Sequence, residues 1–302
     1  ELGGYLPAPA VPEVQLACEA EHLFEELYEG SGDREVATTM SYVHLLAKLL
    51  RDQEIGKFIV PIVPDEARTF GMESLFRQAG IYSHVGQLYE PVDKGNLLFY
   101  NEKKTGAILE EGISEAGSMA SFTAAGTAYA NNDVPTIPFY TFYSMFGFQR
   151  VGDLIWQACD MRARGFLVGA TSGRTTLAGE GLQHQDGHSH LNALAMPNVR
   201  AYDPAFAFEM AEIVKDGIRR MFVDQENLVY YMTVMNEFYS QPAMPEGVED
   251  GILKGIYRFR KSEKSRSKYR PHLLGSGTIL REALKAQPIL EAPARVQVPH
   301  HV

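Results

Sequence analysis

Residues 110–150 are EEGISEAGSMASFTAAGTAYANNDVPTIPFYTFYSMFGFQR, and they contain the pattern on which the rest of the fold is built. Their small residues and alanines predict a helix over roughly 112–130, then a polar turn, then a strand over roughly 134–141. Glu115 lies near the start of this helix among glycine, serine and alanine. Small neighbours allow another backbone or a flat ring to approach its carboxyl group closely.

Aromatic side chains follow the predicted strand: Tyr140, Phe142, Tyr143, Phe146 and Phe148. A carboxylate beside aromatic faces can bind a planar, protonatable heterocycle, because the acid pairs with a ring nitrogen and the aromatic ring covers the face. Two other interpretations stay open at this point. Glu115 can be an acid that only stabilises the helix by its favourable interaction with the macrodipole, and the aromatic residues can belong to a core or a subunit interface.

Strand and helix patterns alternate on both sides of this stretch. Helices are predicted over 36–50, capped by Ser31 or Asp33, from Asp65-Glu66 to Gln78, over 151–158, and from a cap at Asp203-Pro204 to about Met221. Strands are predicted over 58–63, 166–170, 199–202 and 228–235. This alternation predicts an α/β fold with a mostly parallel sheet and helices on both faces.

Candidate chemistry follows three of the predicted strands. Asp65-Glu66, the aromatic loop and a histidine-rich loop each come directly after a strand. In open parallel sheets, ligands bind beyond the carboxyl ends of the strands. We therefore expect these three segments to lie together at one edge of the sheet.

The histidine-rich loop is GEGLQHQDGHSH at residues 179–190, and it contains His184, His188 and His190. Their spacing allows a zinc site, but Gly187 breaks any helix that would align two of them, and no cysteine is near. The favoured interpretation is a polar loop that offers histidines as acid and base groups near neutral pH, with no metal ligand in this chain. Residues 169–181 lack the phosphate-binding P-loop pattern, and no GxSxG motif supports a serine hydrolase.

Composition limits the possible partners. The 302 residues are 45% hydrophobic and carry a formal charge of -10, which argues against nucleic acid or an anionic membrane as partner. The two cysteines, Cys18 and Cys159, give no disulfide framework and suit a reducing compartment. With no apolar stretch of membrane-spanning length and no signal-peptide pattern, we expect a cytoplasmic protein.

The sequence divides into four segments. Residues 1–32 are predicted as a linker or N-terminal extension, 33–259 as the α/β domain, 260–271 as a basic linker, and 272–302 as the truncated start of a second unit. That second unit is predicted to contain a strand, a Gly-Ser turn and a helix. Surface left exposed by absent domains would favour self-association as a dimer or higher oligomer.

Five motifs together resemble one family. They are PDEARTFGMESLFRQAGIYS (64–83), ILEEGISEAG (108–117), IPFYTFYSMFGFQRVGDLIW (137–156), GATSGRTTLAGEGLQHQDGHSH (169–190) and MNEFYSQPAMPEG (235–247). They closely resemble the homodimer-type E1 component of the pyruvate dehydrogenase complex, a thiamine-diphosphate-dependent member of the transketolase superfamily. The resemblance covers residues 33–290 approximately.

The resemblance implies roles for individual residues. It makes 33–259 a pyrimidine-binding domain and 272–302 the start of a transketolase-like C-terminal domain. Glu115 resembles the acid that hydrogen-bonds the pyrimidine nitrogen, and Phe146 the residue that stacks on that ring. Tyr143 and His184 resemble groups that line the pyruvate pocket. Asp65 and Glu66 resemble pocket acids that orient histidines.

The sequence departs from the family pattern at one motif. The family binds the diphosphate through Mg²⁺ with a GDG motif on its N-terminal domain, and no GDG occurs in these 302 residues. The resemblance therefore implies half of a decarboxylating site that needs a chain or domain carrying GDG, and is inactive by itself. It also implies dihydrolipoyl acetyltransferase (E2) as the acceptor of the acetyl group. Two alternatives stay open: a non-catalytic fragment or remnant, and a subunit of another two-chain enzyme for 2-oxo acids or ketoses.

Overall fold

The computed structural model describes residues 20–91, 100–173, 181–262 and 269–292. The strands are β1 (Glu35–Val36), β2 (Ile59–Val63), β3 (Ile81–Tyr82), β4 (Glu102–Lys103), β5 (Leu109–Glu110), β6 (Ile137–Tyr143), β7 (Gly165–Ala170), β8 (Val199–Tyr202), β9 (Val229–Thr233) and β10 (Tyr239–Ser240). The α-helices are α1 (Glu25–Tyr28), α2 (Thr38–Arg51), α3 (Glu73–Gln78), α4 (Glu115–Asn131), α5 (Phe148–Asp160), α6 (Ser189–Ala193), α7 (Ala207–Ile218), α8 (Glu249–Leu253) and α9 (Leu280–Glu291).

The central sheet has six parallel strands in the order β5-β2-β6-β7-β9-β8. Every residue of β7 and β9 is buried, and so is every residue of β6 except its last. Strands covered on both faces need such continuous apolar runs. The structure confirms the predicted α/β class with a parallel sheet.

Helices cover both faces of the sheet. On one face, Phe139 and Phe166 stack with ring centroids 4.5 Å apart and pack in a core with residues of α2 and α7. On the other face, Tyr140 and Leu167 pack with residues of α4, α5 and α6. Neighbouring strand residues point to opposite faces, so adjacent positions supply the two cores.

The segment after β2 differs from the prediction. The helix expected from Asp65-Glu66 onward begins only at Glu73, and residues 65–72 form turns. The φ angle of Asp65 is 44° and that of Gly71 is 69°, and a right-handed helix cannot continue through such residues. The turns leave both acids at the carboxyl end of β2.

Two predicted helix caps were wrong. Helix α2 is preceded by Ala37, which makes no side-chain cap, while the Ser31 hydroxyl bonds the Arg34 carbonyl and accepts the Gln241 N–H. Helix α7 begins at Ala207 rather than after Asp203-Pro204. The Asp203 carboxylate instead accepts hydroxyl hydrogen bonds from Thr233 and Ser276, so both of its oxygens are engaged by residues that are distant in the sequence.

The C-terminal part also differs from its prediction. Residues 272–276 form no strand, and a 3-10 turn at Gly277–Ile279 leads into α9. No described strand runs alongside residues 272–276, and an extended segment needs such a neighbour for its backbone hydrogen bonds. Within the described residues, no helix is both long and apolar enough to cross a membrane. Cys159 is a buried free thiol, and Cys18 lies outside the described residues.

Candidate functional site

Glu115 is the first residue of α4, at the carboxyl edge of the sheet. The Ser114 hydroxyl caps this helix by accepting the Gly117 N–H at 3.0 Å. The helix therefore starts at a defined residue and presents its positive dipole end beside the Glu115 carboxylate. Only 14% of that side chain is exposed. The acid is anchored by its place on a capped helix.

Arg150 contacts both the Glu115 carboxylate and the face of the Phe146 ring. Its Nη1 donates to Glu115 Oε1 at 2.7 Å, and its guanidinium carbon lies 3.9 Å from the centroid of the Phe146 ring. The arginine side chain is 50% exposed. A flat, charged donor thus contacts a carboxylate and a ring face at once. The sequence predictions did not single out Arg150, since it lies 35 residues from Glu115.

Tyr143, Phe146 and His184 form an aromatic cluster next to this pair. The centroid of the His184 ring is 4.8 Å from that of Tyr143 and 5.0 Å from that of Phe146. Tyr143 and Phe146 are 5.8 Å apart in a T-shaped arrangement. The structure brings these three predicted site residues together, although His184 comes from a different loop.

The two acids after β2 reach different neighbours. Glu66 Oε2 accepts hydrogen bonds from the Tyr143 hydroxyl at 3.4 Å and the Thr69 hydroxyl at 3.1 Å. This contact joins Glu66 to the aromatic cluster. Asp65 is exposed and faces the carboxyl group of Glu110 on the neighbouring strand β5.

Glu110 is a half-buried carboxyl group that the sequence predictions did not single out as a site residue. Burial, followed by the charge of Asp65, raises its pKa from 4.5 to about 7. Its other neighbours are the Tyr100 hydroxyl and Glu102. Glu102 in turn accepts hydrogen bonds from Tyr89 at 2.6 Å and Tyr100 at 3.1 Å. Glu110 therefore holds its proton up to about neutral pH at the edge of the candidate site.

The expected group of five aromatic residues is reduced to two at the site. Tyr140, Phe142 and Phe148 are buried in the core between the sheet and α5. Burial also raises the pKa of the Tyr140 phenol, whose hydroxyl donates to the Glu115 carbonyl at 3.2 Å. The alternative interpretation, a core role, therefore holds for these three residues. Tyr143 and Phe146 keep partly exposed rings.

The histidines of residues 179–190 separate in space, and residues 174–180 lie outside the described part of the chain. His190 Nε2 lies 3.0 Å from the Tyr202 carbonyl oxygen, and the His188 ring contacts the Gln149 amide. His184 packs on Tyr143 instead. Across the described ranges, no three His, Cys, Asp or Glu residues are grouped to hold a metal ion, so the zinc alternative gains no support.

The solved structures that resemble this chain include transketolases. A transketolase variant from Pichia stipitis matches 89% of this chain and 35% of its own, with a TM-score of 0.64 and 14% sequence identity. Transketolase from Leishmania mexicana matches 79% of this chain and 30% of its own, with a TM-score of 0.59 and 15% identity. These likenesses concern the fold alone. The chain is thus a transketolase-like α/β protein with an acid and aromatic cluster at the strand ends.

Sequence comparison identifies the family. The family model "Pyruvate dehydrogenase E1 component middle domain" matches residues 17–242. The pyruvate dehydrogenase E1 component of Pseudomonas aeruginosa is 56% identical over 96% of this chain and 33% of its own length. This chain belongs to the pyruvate dehydrogenase E1 family, and it spans about a third of the length of its curated relatives. The resemblance inferred from the motifs is confirmed.

Proposed function

We propose that this chain supplies the pyrimidine-binding half of a thiamine-diphosphate site in a pyruvate dehydrogenase E1. The observation that supports the proposal is the position of Arg150, whose planar guanidinium contacts the Glu115 carboxylate and the Phe146 face together. A protonatable pyrimidine needs the same two contacts, a hydrogen bond to a ring nitrogen and a partner for its face. The Glu115 carboxylate and the Phe146 ring therefore fit the pyrimidine end of the cofactor.

Each residue of the site has a proposed task. Glu115 holds the pyrimidine nitrogen through a charge-assisted hydrogen bond, and Phe146 packs on the ring. When bound, thiamine diphosphate supplies the nucleophile and the electron sink for decarboxylation of a 2-oxo acid. Tyr143 and His184 line the space for the substrate carboxylate. Glu66 orients Tyr143 through their hydrogen bond and so serves the same pocket.

Asp65 completes the set of proposed acids, and its role is to keep a carboxyl pair with Glu110 at the edge of the pocket. Burial, followed by the like charge of Asp65, raises the pKa of Glu110 to about 7, so the pair retains a proton near neutral pH. The pair lies beside the turn that carries Glu66. We therefore assign it an influence on the charge of the pocket and no direct contact with the cofactor.

The proposed substrate is pyruvate, and the acetyl product passes to the lipoyl group of dihydrolipoyl acetyltransferase. Relatives named pyruvate dehydrogenase E1 component share 51–56% identity with this chain, while the transketolases share its fold at 14–16% identity. The diphosphate and Mg²⁺ would be held by a partner chain or domain that carries GDG. Exposed apolar residues near the site, Ile113 and Leu182, support the proposed association with that partner or in a dimer.

Calorimetric titration tests the proposal. Thiamine diphosphate with magnesium is titrated into this chain alone, and then into the chain mixed with the remaining part of the Pseudomonas aeruginosa relative. A pyrimidine of about nine non-hydrogen atoms at about 0.45 kcal/mol each gives a dissociation constant of about 1 mM for the half-site. We expect no micromolar binding by the chain alone and at least about 100-fold tighter binding by the mixture.

Two variants separate the proposed contact from general effects. Glu115→Gln removes a charge-assisted hydrogen bond worth about 1.5–3 kcal/mol, so binding by the mixture should weaken about 10- to 100-fold. Glu111→Gln is the matched control, because Glu111 accepts a hydrogen bond from Ser121 rather than Arg150. Equal binding by the Glu115 variant and the unmodified chain would refute the proposed role. Micromolar binding by this chain alone would refute the half-site.

A further inference from the structure

A buried carboxylate anchors the loop that carries His184. Asp186 is only 1% exposed, and its Oδ1 accepts the backbone N–H groups of His188 and Ser189, each at 3.0 Å. Its Oδ2 accepts the Ser189 hydroxyl at 2.5 Å. Its own backbone N–H donates to the Gly173 carbonyl at 3.1 Å, just after β7. One residue thus ties the loop to the end of a central strand and to the start of α6.

A second link joins this anchor to the sheet. Ser189, which donates to Asp186, accepts a hydrogen bond from the Tyr231 hydroxyl at 2.8 Å. Tyr231 is fully buried on β9, and its ring packs against Phe142 and Phe148. The chain of contacts from Tyr231 to Asp186 therefore begins at a rigid position in the core. Networks of this kind are stable only when each member is satisfied.

Asp186 also keeps its charge although it is buried. Burial acts to raise the pKa of its carboxyl group, but hydrogen bonds from the Ser189 hydroxyl and from the backbone N–H groups of His188 and Ser189 outweigh burial and lower the pKa below its ordinary value. A charged acceptor forms stronger hydrogen bonds than a neutral one. The loop is therefore held by charge-assisted bonds at neutral pH.

His184 depends on this anchor because it lies two residues earlier. Residues 182–184 form a 3-10 turn in which the His184 N–H donates to the Gly181 carbonyl at 3.0 Å. The turn ends at Gln185, whose N–H bonds the Leu182 carbonyl, and the chain then enters Asp186. Holding Asp186 in place therefore holds the C-terminal end of this turn, where the His184 ring packs on Tyr143 and Phe146.

We propose that Asp186 is the positioning residue for His184, acting through the backbone of the loop and the Ser189–Tyr231 contact. The importance of the His184 position rests on the proposed function. The anchor itself is a property of this chain, and it can be tested without cofactor or substrate. If the cofactor proposal fails, the test of the anchor can still be interpreted. If the anchor proposal fails, the test of cofactor binding can still be interpreted.

The test is NMR spectroscopy of the chain with isotope-labelled histidine. The ring protons of His184 lie beside two aromatic rings, and ring currents displace their signals from the positions of a free histidine. In Asp186→Asn, the single amide oxygen can still accept the backbone N–H groups of His188 and Ser189, but the NH2 group that replaces Oδ2 cannot accept the Ser189 hydroxyl, and the charge is lost. We expect the His184 signals to lose most of this displacement, while methyl signals of the core stay in place.

Asp203→Asn is the matched control. Like Asp186, Asp203 is an aspartate whose two carboxylate oxygens both accept hydrogen bonds, but its donors are the hydroxyls of Thr233 and Ser276 rather than groups of the loop. This variant should leave the His184 signals unchanged. Unmoved His184 signals in a folded Asp186→Asn protein, or an equal movement in the control, would overturn the proposal.

Graded variants keep the proposal testable if Asp186→Asn does not fold. Tyr231→Phe removes the hydrogen bond to Ser189, and Ser189→Ala removes that bond together with the bond to Asp186. We expect the His184 signals to move in the same direction in both variants, with the larger movement in Ser189→Ala. No movement in either variant would contradict an anchor that acts through these contacts.

Discussion

Replacing Glu110 by glutamine should change the pH dependence of stability. The carboxyl group keeps its proton to about pH 7 in the folded chain, against an ordinary value of 4.5, because of burial and the charge of Asp65. Between these values the native state binds more protons than the unfolded state. Stability therefore falls as the pH rises through this window, and the loss is complete above the folded pKa.

The magnitude follows from the difference between the two pKa values. About 2.5 pH units correspond to about 3.4 kcal/mol at full effect, and solvent screening of this half-buried group reduces the figure to about 1–2 kcal/mol. Glutamine carries no charge at any pH. Relative to the unmodified chain, Glu110→Gln should therefore gain about 1–2 kcal/mol in free energy of unfolding at pH 8 and gain much less at pH 5.

Urea unfolding at pH 5 and pH 8 measures this difference. Glu73→Gln is the control, since it makes the same chemical change at an exposed acid on α3 that is not among the charged neighbours of Glu110. A gain of equal size at both pH values would show that packing rather than charge decides the effect. A loss of stability confined to pH 8 would refute the reasoning, because it would require a stabilising charge on Glu110.

Three further substitutions test the framework of the fold by urea unfolding. Ser114→Ala removes the cap bond to Gly117 and should cost about 1 kcal/mol, and a cost near zero would contradict the cap at α4. Gly126→Ala places a methyl group 2.8 Å from the Arg164 carbonyl oxygen and should cost about 1–3 kcal/mol, whereas a neutral result would show that α4 can move away from the strand. Arg164→Met removes a buried guanidinium that donates two hydrogen bonds to the half-buried Asn227 and should cost about 3 kcal/mol, and a stabilised protein would refute the need for this guanidinium.

The sheet was predictable because its strands carry their own signal. Residues 166–170 and 199–202 were predicted as strands, and the structure has strands at Gly165–Ala170 and Val199–Tyr202. Of these two, Gly165–Ala170 is buried on both faces, and its continuous apolar run beginning at a glycine marks it in the sequence. The predicted covering of both faces of the sheet follows from the helices that lie between such runs in the sequence.

Contacts between distant side chains were not predictable from spacing. Arg150 reaches Glu115 because the end of β6 and the start of α4 meet at one edge, and no local pattern links residues 35 positions apart. Glu110 meets Asp65 because β5 pairs with β2, and short edge strands give a weak sequence signal. The proximity of the aromatic and histidine-rich loops was expected because each follows a strand of a parallel sheet, but the choice of Tyr143 and His184 within those loops came from the family resemblance.

Local turns were the other source of error. The left-handed backbone of Asp65 ends the regular structure after β2, but aspartate allows both helical and turn conformations, so its identity does not decide between them. The proline after Asp203 favours a helix cap at this position in the sequence. In the folded chain Asp203 bonds Thr233 and Ser276, which are near only after the sheet and the C-terminal segment have formed.

The most direct test of the central claim is saturation-transfer NMR of thiamine with this chain. If Glu115 and Phe146 form the pyrimidine-binding half-site, saturation should pass from the protein mainly to the pyrimidine protons at a dissociation constant of about 1 mM. Glu115→Gln and Phe146→Ala should abolish the transfer, and Glu111→Gln should preserve it. Equal transfer to all parts of thiamine, or transfer that survives both site variants, would contradict the account.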